Sequence, residues 1–214
     1  AGRIAASKSA DGTASLTNDD LAYIGLATLA TREEQIYMQR FRERIISRRI
    51  AQSLLAQAGR LYDGVKTGGR AGYGRAAATA LAFPRSFRAA LFLHQHLGVN
   101  RWLAAALADR FELLLIGQHA LRELCEFNRT KVAPLLGSEA GERLGAILEE
   151  RQAQIEQALS ALRLQYPDYS RSLQQQYLDR VAIRLEEEGY RTMLGESVIS
   201  REVYNDLERR LTET

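Results

Sequence analysis

The sequence predicts an all-α protein, a bundle of long helices that includes an antiparallel helical hairpin. Three observations carry this. Leu and Ala occur 31 times each against six Val, and straight-chain residues and Ala lose less rotamer freedom in a helix than β-branched ones. Only three Pro interrupt the 214 residues. Apolar residues recur at three- and four-residue spacing over stretches much longer than a strand.

Residues 1–18 are small and polar and read as a disordered tail. A short helix is expected over Asp19 to Leu29. Thr31-Arg32-Glu33-Glu34 fits a capping box, and Ile36, Phe41, Ile45, Ile46, Ile50, Leu54, Leu55, Ala58 and Leu61 keep helical spacing after it. Gly64, Gly68, Gly69, Gly72 and Gly74 break that pattern. The run fails both glycine-loop templates for phosphate, because its spacing is not GxGxxG and no Gly-Lys-Ser/Thr follows. It reads as a helix-to-helix turn. Pro84 suits the first turn of a helix ending near Gly98. The next helix carries Trp102, Leu103, Leu107, Phe111, Leu114, Leu115, Leu121 and Leu124, and ends before Pro134. Ser138 is placed as the cap of a helix with Leu144, Leu148, Ile155, Leu159 and Leu162. Pro167 stops it, and Asp168 is placed as the cap of a partner carrying Leu173, Tyr177, Leu178, Val181, Leu185 and Tyr190. Two long helices joined at Tyr166-Pro167-Asp168 predict the hairpin. A last helix follows Ser200.

Residues 19–214 read as one domain with oppositely charged halves, a basic one over 19–107 and an acidic one over 108–214. From Arg40 to Arg101 there are twelve Arg and Lys against two acids, a net of +10, while 108–214 hold fourteen bases and nineteen acids, a net of −5. A basic amphipathic helical half suits an anionic surface, either a membrane face or nucleic acid. Nucleic acid is the weaker partner, since no reading module is evident. A plain solvated helix face explains the arginines equally well. No apolar run approaches the ~18 residues of a spanning helix, and no signal peptide is visible. The chain opens on Ala1, as a processed product or excised fragment would.

The search for chemistry returns nothing. His94 and His96 stand two apart, so they point in different directions on a helix and do not make a metal pair with each other or with His119. No Ser lies in a nucleophile elbow. Glu186-Glu187-Glu188 reads as a solvated face beside Arg184 and Arg191. Cys125, the single cysteine, falls in an apolar pattern with Leu121 and Leu124 and reads as a reduced core thiol in a cytosolic chain. The expectation is a non-enzymatic protein with no catalytic residue, cofactor or metal.

The C-terminal half carries a likeness. Leu162-Arg163-Leu164-Gln165-Tyr166-Pro167-Asp168-Tyr169, Arg184 through Glu188, and Met193-Leu194-Gly195-Glu196-Ser197-Val198-Ile199-Ser200 with Val203-Tyr204 resemble the cytosolic region of monovalent cation/proton antiporters. The nearest group is bacterial sodium/proton exchangers that also carry a cyclic-nucleotide-binding-like domain. The likeness implies a regulatory connector on the cytoplasmic side of the inner membrane, partnered by its own transmembrane antiporter domain and forming a homodimer. The ion-translocating acids of such exchangers sit in membrane helices, so none carries over. On this reading Arg40, Arg44, Arg48, Arg49, Arg85 and Arg88 meet the anionic membrane surface, each contributing ~1 kcal/mol. A soluble all-α nucleic-acid-binding regulator or a helical adaptor is the alternative.

Overall fold

Helix α1 (Asn18–Arg42) starts immediately after Thr17 in the computed structural model, which describes residues 17–82 and 100–213, with the side chains of 100–103 and 212–213 not described. The Thr17 hydroxyl accepts the Asp20 amide at 3.2 Å, and the Asp20 carboxylate accepts the Thr17 amide at 3.0 Å. That is a capping box, but not the one predicted at Thr31. Thr31 lies inside α1, its hydroxyl donating to the Ala27 carbonyl at 3.0 Å. The earlier start prevails because Leu26, Leu29 and Ala30, all N-terminal to Thr31, already belong to the buried stripe. Thr17 and Asn18, assigned to the tail, are part of this start.

The helix expected to run on to Leu61 breaks at 43–47. Arg44 adopts φ 56. The Arg44 amide donates to the Phe41 carbonyl at 3.0 Å and the Ile45 amide to the Arg40 carbonyl at 3.1 Å. These are the paired bonds of a Schellman stop, whose left-handed position usually belongs to glycine. Ser47 then caps α2 (Arg48–Leu81), accepting the Ile50 amide at 3.3 Å. Ile45 and Ile46 are buried within the turn, so the apolar spacing continues across a real chain break.

Midway, α2 folds back on itself at Gly68 and Gly69, as the glycine run predicts; Gly69 takes φ 52 and ψ −135. A Cβ on Gly72 would lie 1.9 Å from the Gly64 carbonyl oxygen. In a straight helix those two residues would be about 12 Å apart. Backbone therefore touches backbone across the hairpin, which only glycine at both positions permits.

Helix α3 (Asn100–Phe127) buries Leu107, Phe111, Leu114, Leu115, Leu121 and Leu124 as expected. Trp102 and Leu103 lie outside the described side chains, and the helix predicted from Pro84 to Gly98 outside the described residues. α3 runs on through a π-turn (Asn128–Val132) and one further helical turn (Ala133–Leu136), so Pro134 sits inside the end of this rod and not beyond it. Gly137, at φ 94, makes the exit.

Helices α4 (Ser138–Gln165) and α5 (Pro167–Gly195) form the predicted hairpin about Tyr166. Their caps differ from expectation. Gly137 and Tyr166 hold the cap positions without a side-chain bond, and Ser138 and Asp168 fall inside the first turns. Helix α6 (Arg201–Glu213) follows Ser200, whose hydroxyl accepts the Val203 amide at 3.3 Å. α1 to α4 enclose one core, α5 leans on α3 and α4, and α6 packs chiefly on α5. Among the described residues there is no strand, and no helix is long and apolar enough to cross a membrane.

Candidate functional site

The six arginines expected to face lipid do not act as one set. Arg40 pairs with Glu43 at 3.6 Å and with Glu123 of α3. Arg49 pairs with Asp109, also on α3. Both are therefore committed within the chain, where they tie the basic half to the acidic half. Arg85 and Arg88 lie outside the described residues. Arg44 and Arg48 remain exposed at the turn between α1 and α2.

Two residues join them there. Arg42 is exposed in the last turn of α1, and Phe41, read from spacing as core, is 37% exposed. The Schellman turn explains both. By ending α1 at Arg42 it withdraws the helix from under Phe41 and turns the backbone so that Ile45 and Ile46 take the buried positions. Arg42, Arg44 and Arg48 have no acidic partner within 4 Å. The corner thus offers three uncommitted guanidinium groups around one half-open aromatic ring.

A second feature lies in the core. Glu33 and Arg151, 118 positions apart, form a bidentate pair at 2.9 and 3.0 Å. Tyr37 donates its hydroxyl to Glu33 Oε1 at 2.8 Å, and Arg151 Nη1 donates to the Tyr73 hydroxyl at 2.5 Å while lying 5.3 Å above that ring. One knot so joins α1, both limbs of α2 through Tyr73, and α4. Beside it is a cavity of about 30 Å³, lined by Glu33, Tyr37, Arg110 and Arg151 among others. That is room for a water, not a substrate. Arg110 closes the other end, donating to the Ala80 carbonyl at 3.3 Å and to that of Leu81, the last turn of α2.

Electrostatics agrees with a locking role. Burial alone would lower the Arg151 pKa, but Glu33 and the tyrosines around it raise it, so the guanidinium stays charged. Burial, then the Glu33 charge, holds the Tyr37 hydroxyl well above its usual value. Burial likewise pushes Tyr73 up to about 12. Unfolded tyrosines ionise near pH 10, so the folded form keeps these protons longer. Their contribution to stability is complete below about pH 10 and is lost as pH rises toward 12. Denaturant titrations at fixed pH should show stability falling across that window, with a shallower fall for Tyr73→Phe. A profile flat to pH 12 would contradict this.

The remaining reactive side chains are engaged otherwise. The Cys125 thiol is half-buried, 3.9 Å from the Gln152 amide oxygen, and burial raises its pKa, which disfavours the thiolate that a nucleophile needs. His119 turns Nδ1 to its own helix at the Leu115 carbonyl, 2.8 Å away, and its ring to Tyr177. His94 and His96 lie outside the described residues. Among the described residues no group of three or more His, Cys, Asp or Glu could hold a metal ion.

Sequence reasoning missed the buried knot although a signal was present. Glu33 falls in register with Leu26, Leu29, Ala30 and Tyr37, and Arg151 with Leu144, Leu148, Ile155 and Leu159, all of them buried. A charge inside each of two apolar stripes marks a pair. Comparison of the chain with protein-family models, with curated proteins and with solved structures finds no match.

Proposed function

We propose that this chain is a non-enzymatic helical connector of a membrane cation/proton antiporter, on the cytoplasmic side of the inner membrane, and that it rests on anionic lipid through the α1–α2 corner. The supporting observation is the corner itself, with Phe41 half-open and Arg42, Arg44 and Arg48 exposed and unpaired. Arginines with no internal partner can be neutralised by headgroups, and a half-exposed ring can enter the boundary between headgroups and acyl chains. The phrases that resemble antiporters fall mainly at two bends of the fold, the α4–α5 turn and the α5–α6 turn. Those bends set the direction of the C-terminal helices, a property that a connector needs.

Arg44 adds a second line of support. A side chain at φ 56 costs of order 1 kcal/mol that glycine would not, and such a conformation persists where the side chain is wanted. Arg44→Gly should therefore stabilise the fold by about 0.5–1 kcal/mol and at the same time weaken binding to anionic vesicles about fivefold, by loss of ~1 kcal/mol at the surface. Neutralising Arg42, Arg44 and Arg48 together should weaken it roughly hundredfold.

The test is flotation of the 214-residue chain with vesicles of pure phosphatidylcholine and of phosphatidylcholine with phosphatidylserine. Preference for the anionic vesicles, fading as salt rises, supports the reading. Equal binding to both, or stronger binding to duplex DNA than to either, overturns the lipid-facing part. The antiporter part is tested separately, by whether the coding region directly upstream specifies a run of apolar membrane-spanning helices.

A further inference from the structure

Beyond Tyr177, α5 leaves the core, and no residue from 178 to 211 is buried. Sequence spacing assigned Leu178 and Leu185 to the core stripe, but they are 50% and 65% exposed, and Met193 is 43% exposed. The stripe that packs inward is Leu173, Tyr177 and Val181. A second stripe therefore runs along the open side of α5, made of Leu178, Ala182, Leu185, Gly189 and Met193. Its steps of four, three, four and four residues keep it on one helix face.

Residue size alternates along this stripe: Leu, Ala, Leu, Gly. We propose that it is an antiparallel two-fold seam between two copies of the chain. With the dyad passing between residues 183 and 184, Leu178 falls opposite the partner's Gly189, and Leu185 opposite the partner's Ala182. Every layer then sets one large side chain against one small one, and the two-fold axis repeats each match. A Cβ at Gly189 would meet nothing within 4 Å in a single copy. Nothing within the chain requires glycine there, whereas a leucine arriving from a neighbour does. Such small residues let two helices approach to the close end of the 8–10 Å range.

The rim gives this seam a distinctive salt response. Asp179, Glu186 and Glu188 border the stripe, so like charges gather where the two copies meet. Screening them should strengthen association as salt rises, the reverse of a contact between the acidic half of one copy and the basic half of another. The seam does not rest on the antiporter reading and can fail or stand alone.

Sedimentation equilibrium of the 214-residue chain tests it. A reversible dimer that tightens with salt is expected. Gly189→Leu fills the gap that the partner's Leu178 needs, and Leu178→Ala removes that knob; each should raise the dimer Kd at least about tenfold. Neither should unfold the monomer, since position 189 is open and 178 lies outside the core, and circular dichroism of dilute protein checks this. The double variant Leu178→Ala with Gly189→Leu exchanges large for small on both sides and should restore the Kd to within about threefold of the original. A monomer at all concentrations, a dimer that salt dissolves, or a double variant no better than the singles overturns the seam.

Discussion

Glu33→Gln should lower the stability of this protein by about 3–5 kcal/mol, because it strands the Arg151 guanidinium as an unpaired charge in the core. For a chain of this size that is a fall in Tm of roughly 6–20 °C. The geometry leaves little room for rescue. Arg151 is enclosed by α1, α2 and α4, and the neighbouring cavity of about 30 Å³ can admit a water but not a stream of solvent. Arg151→Met should be similarly costly, since it leaves the Glu33 carboxylate with only the Tyr37 hydroxyl. Replacing both, Glu33→Leu with Arg151→Met, should cost much less than either single change, because no charge is then left buried alone. Denaturant unfolding of the four proteins gives the cycle directly. A loss below about 1 kcal/mol for Glu33→Gln would show that the pair does not hold these helices together.

Gly72→Ala should cost about 3 kcal/mol, although Ala is the better helix former by about 1 kcal/mol. The added methyl would lie 1.9 Å from the Gly64 carbonyl oxygen, against backbone that belongs to the same fold-back and cannot retreat without opening it. Tyr73, next in sequence, would be carried off the Arg151 guanidinium with it. Gly74→Ala, two residues further on, meets nothing within 4 Å and should stabilise the protein by about 0.5–1 kcal/mol. Opposite signs from two glycines in one helix are the expected result, read from paired denaturation curves. A gain at both positions would mean that the fold-back is looser than the Gly64–Gly72 contact implies.

The parts of this fold that sequence reveals are those with local causes. Gly68-Gly69 marks a reversal because glycine alone is at ease there, and Tyr166-Pro167 marks a hairpin because proline starts a helix and cannot continue one. The break at 43–47 is hidden because its left-handed residue is Arg44, and because Ile45 and Ile46 keep the apolar rhythm through it. The basic corner was half legible. Arg44 and Arg48 are evident from charge, but only the turn shows that Arg40 and Arg49 are spent on Glu123 and Asp109, and that Phe41 is open. Contacts made across 83 and 60 positions have no local signature. The outer stripe of α5 is a related case: periodicity shows that a helix has an apolar face, and only the packing shows how many such faces it has.

The π-turn at Asn128–Val132 makes one stretch of this chain a counted interval. The Ala133 amide bonds back to the Asn128 carbonyl, one residue further than an α-helix would reach, so this turn absorbs a residue that a regular helix would have no place for. Removing Thr130 would restore ordinary α-helical bonding and look harmless. It would also rotate all that follows by about 100° relative to α3, turning buried Val132 outward and carrying Ala133 away from Gly141, where a glycine Cβ would come within 2.3 Å of it. The Asn128 amide, which donates to the Gly141 carbonyl at 2.9 Å, would lose the neighbour that fixes it. Natural variants of this chain should accordingly be free to change length around 196–200, where the chain is largely exposed, yet keep the number of residues from 128 to 141 constant while their identities drift.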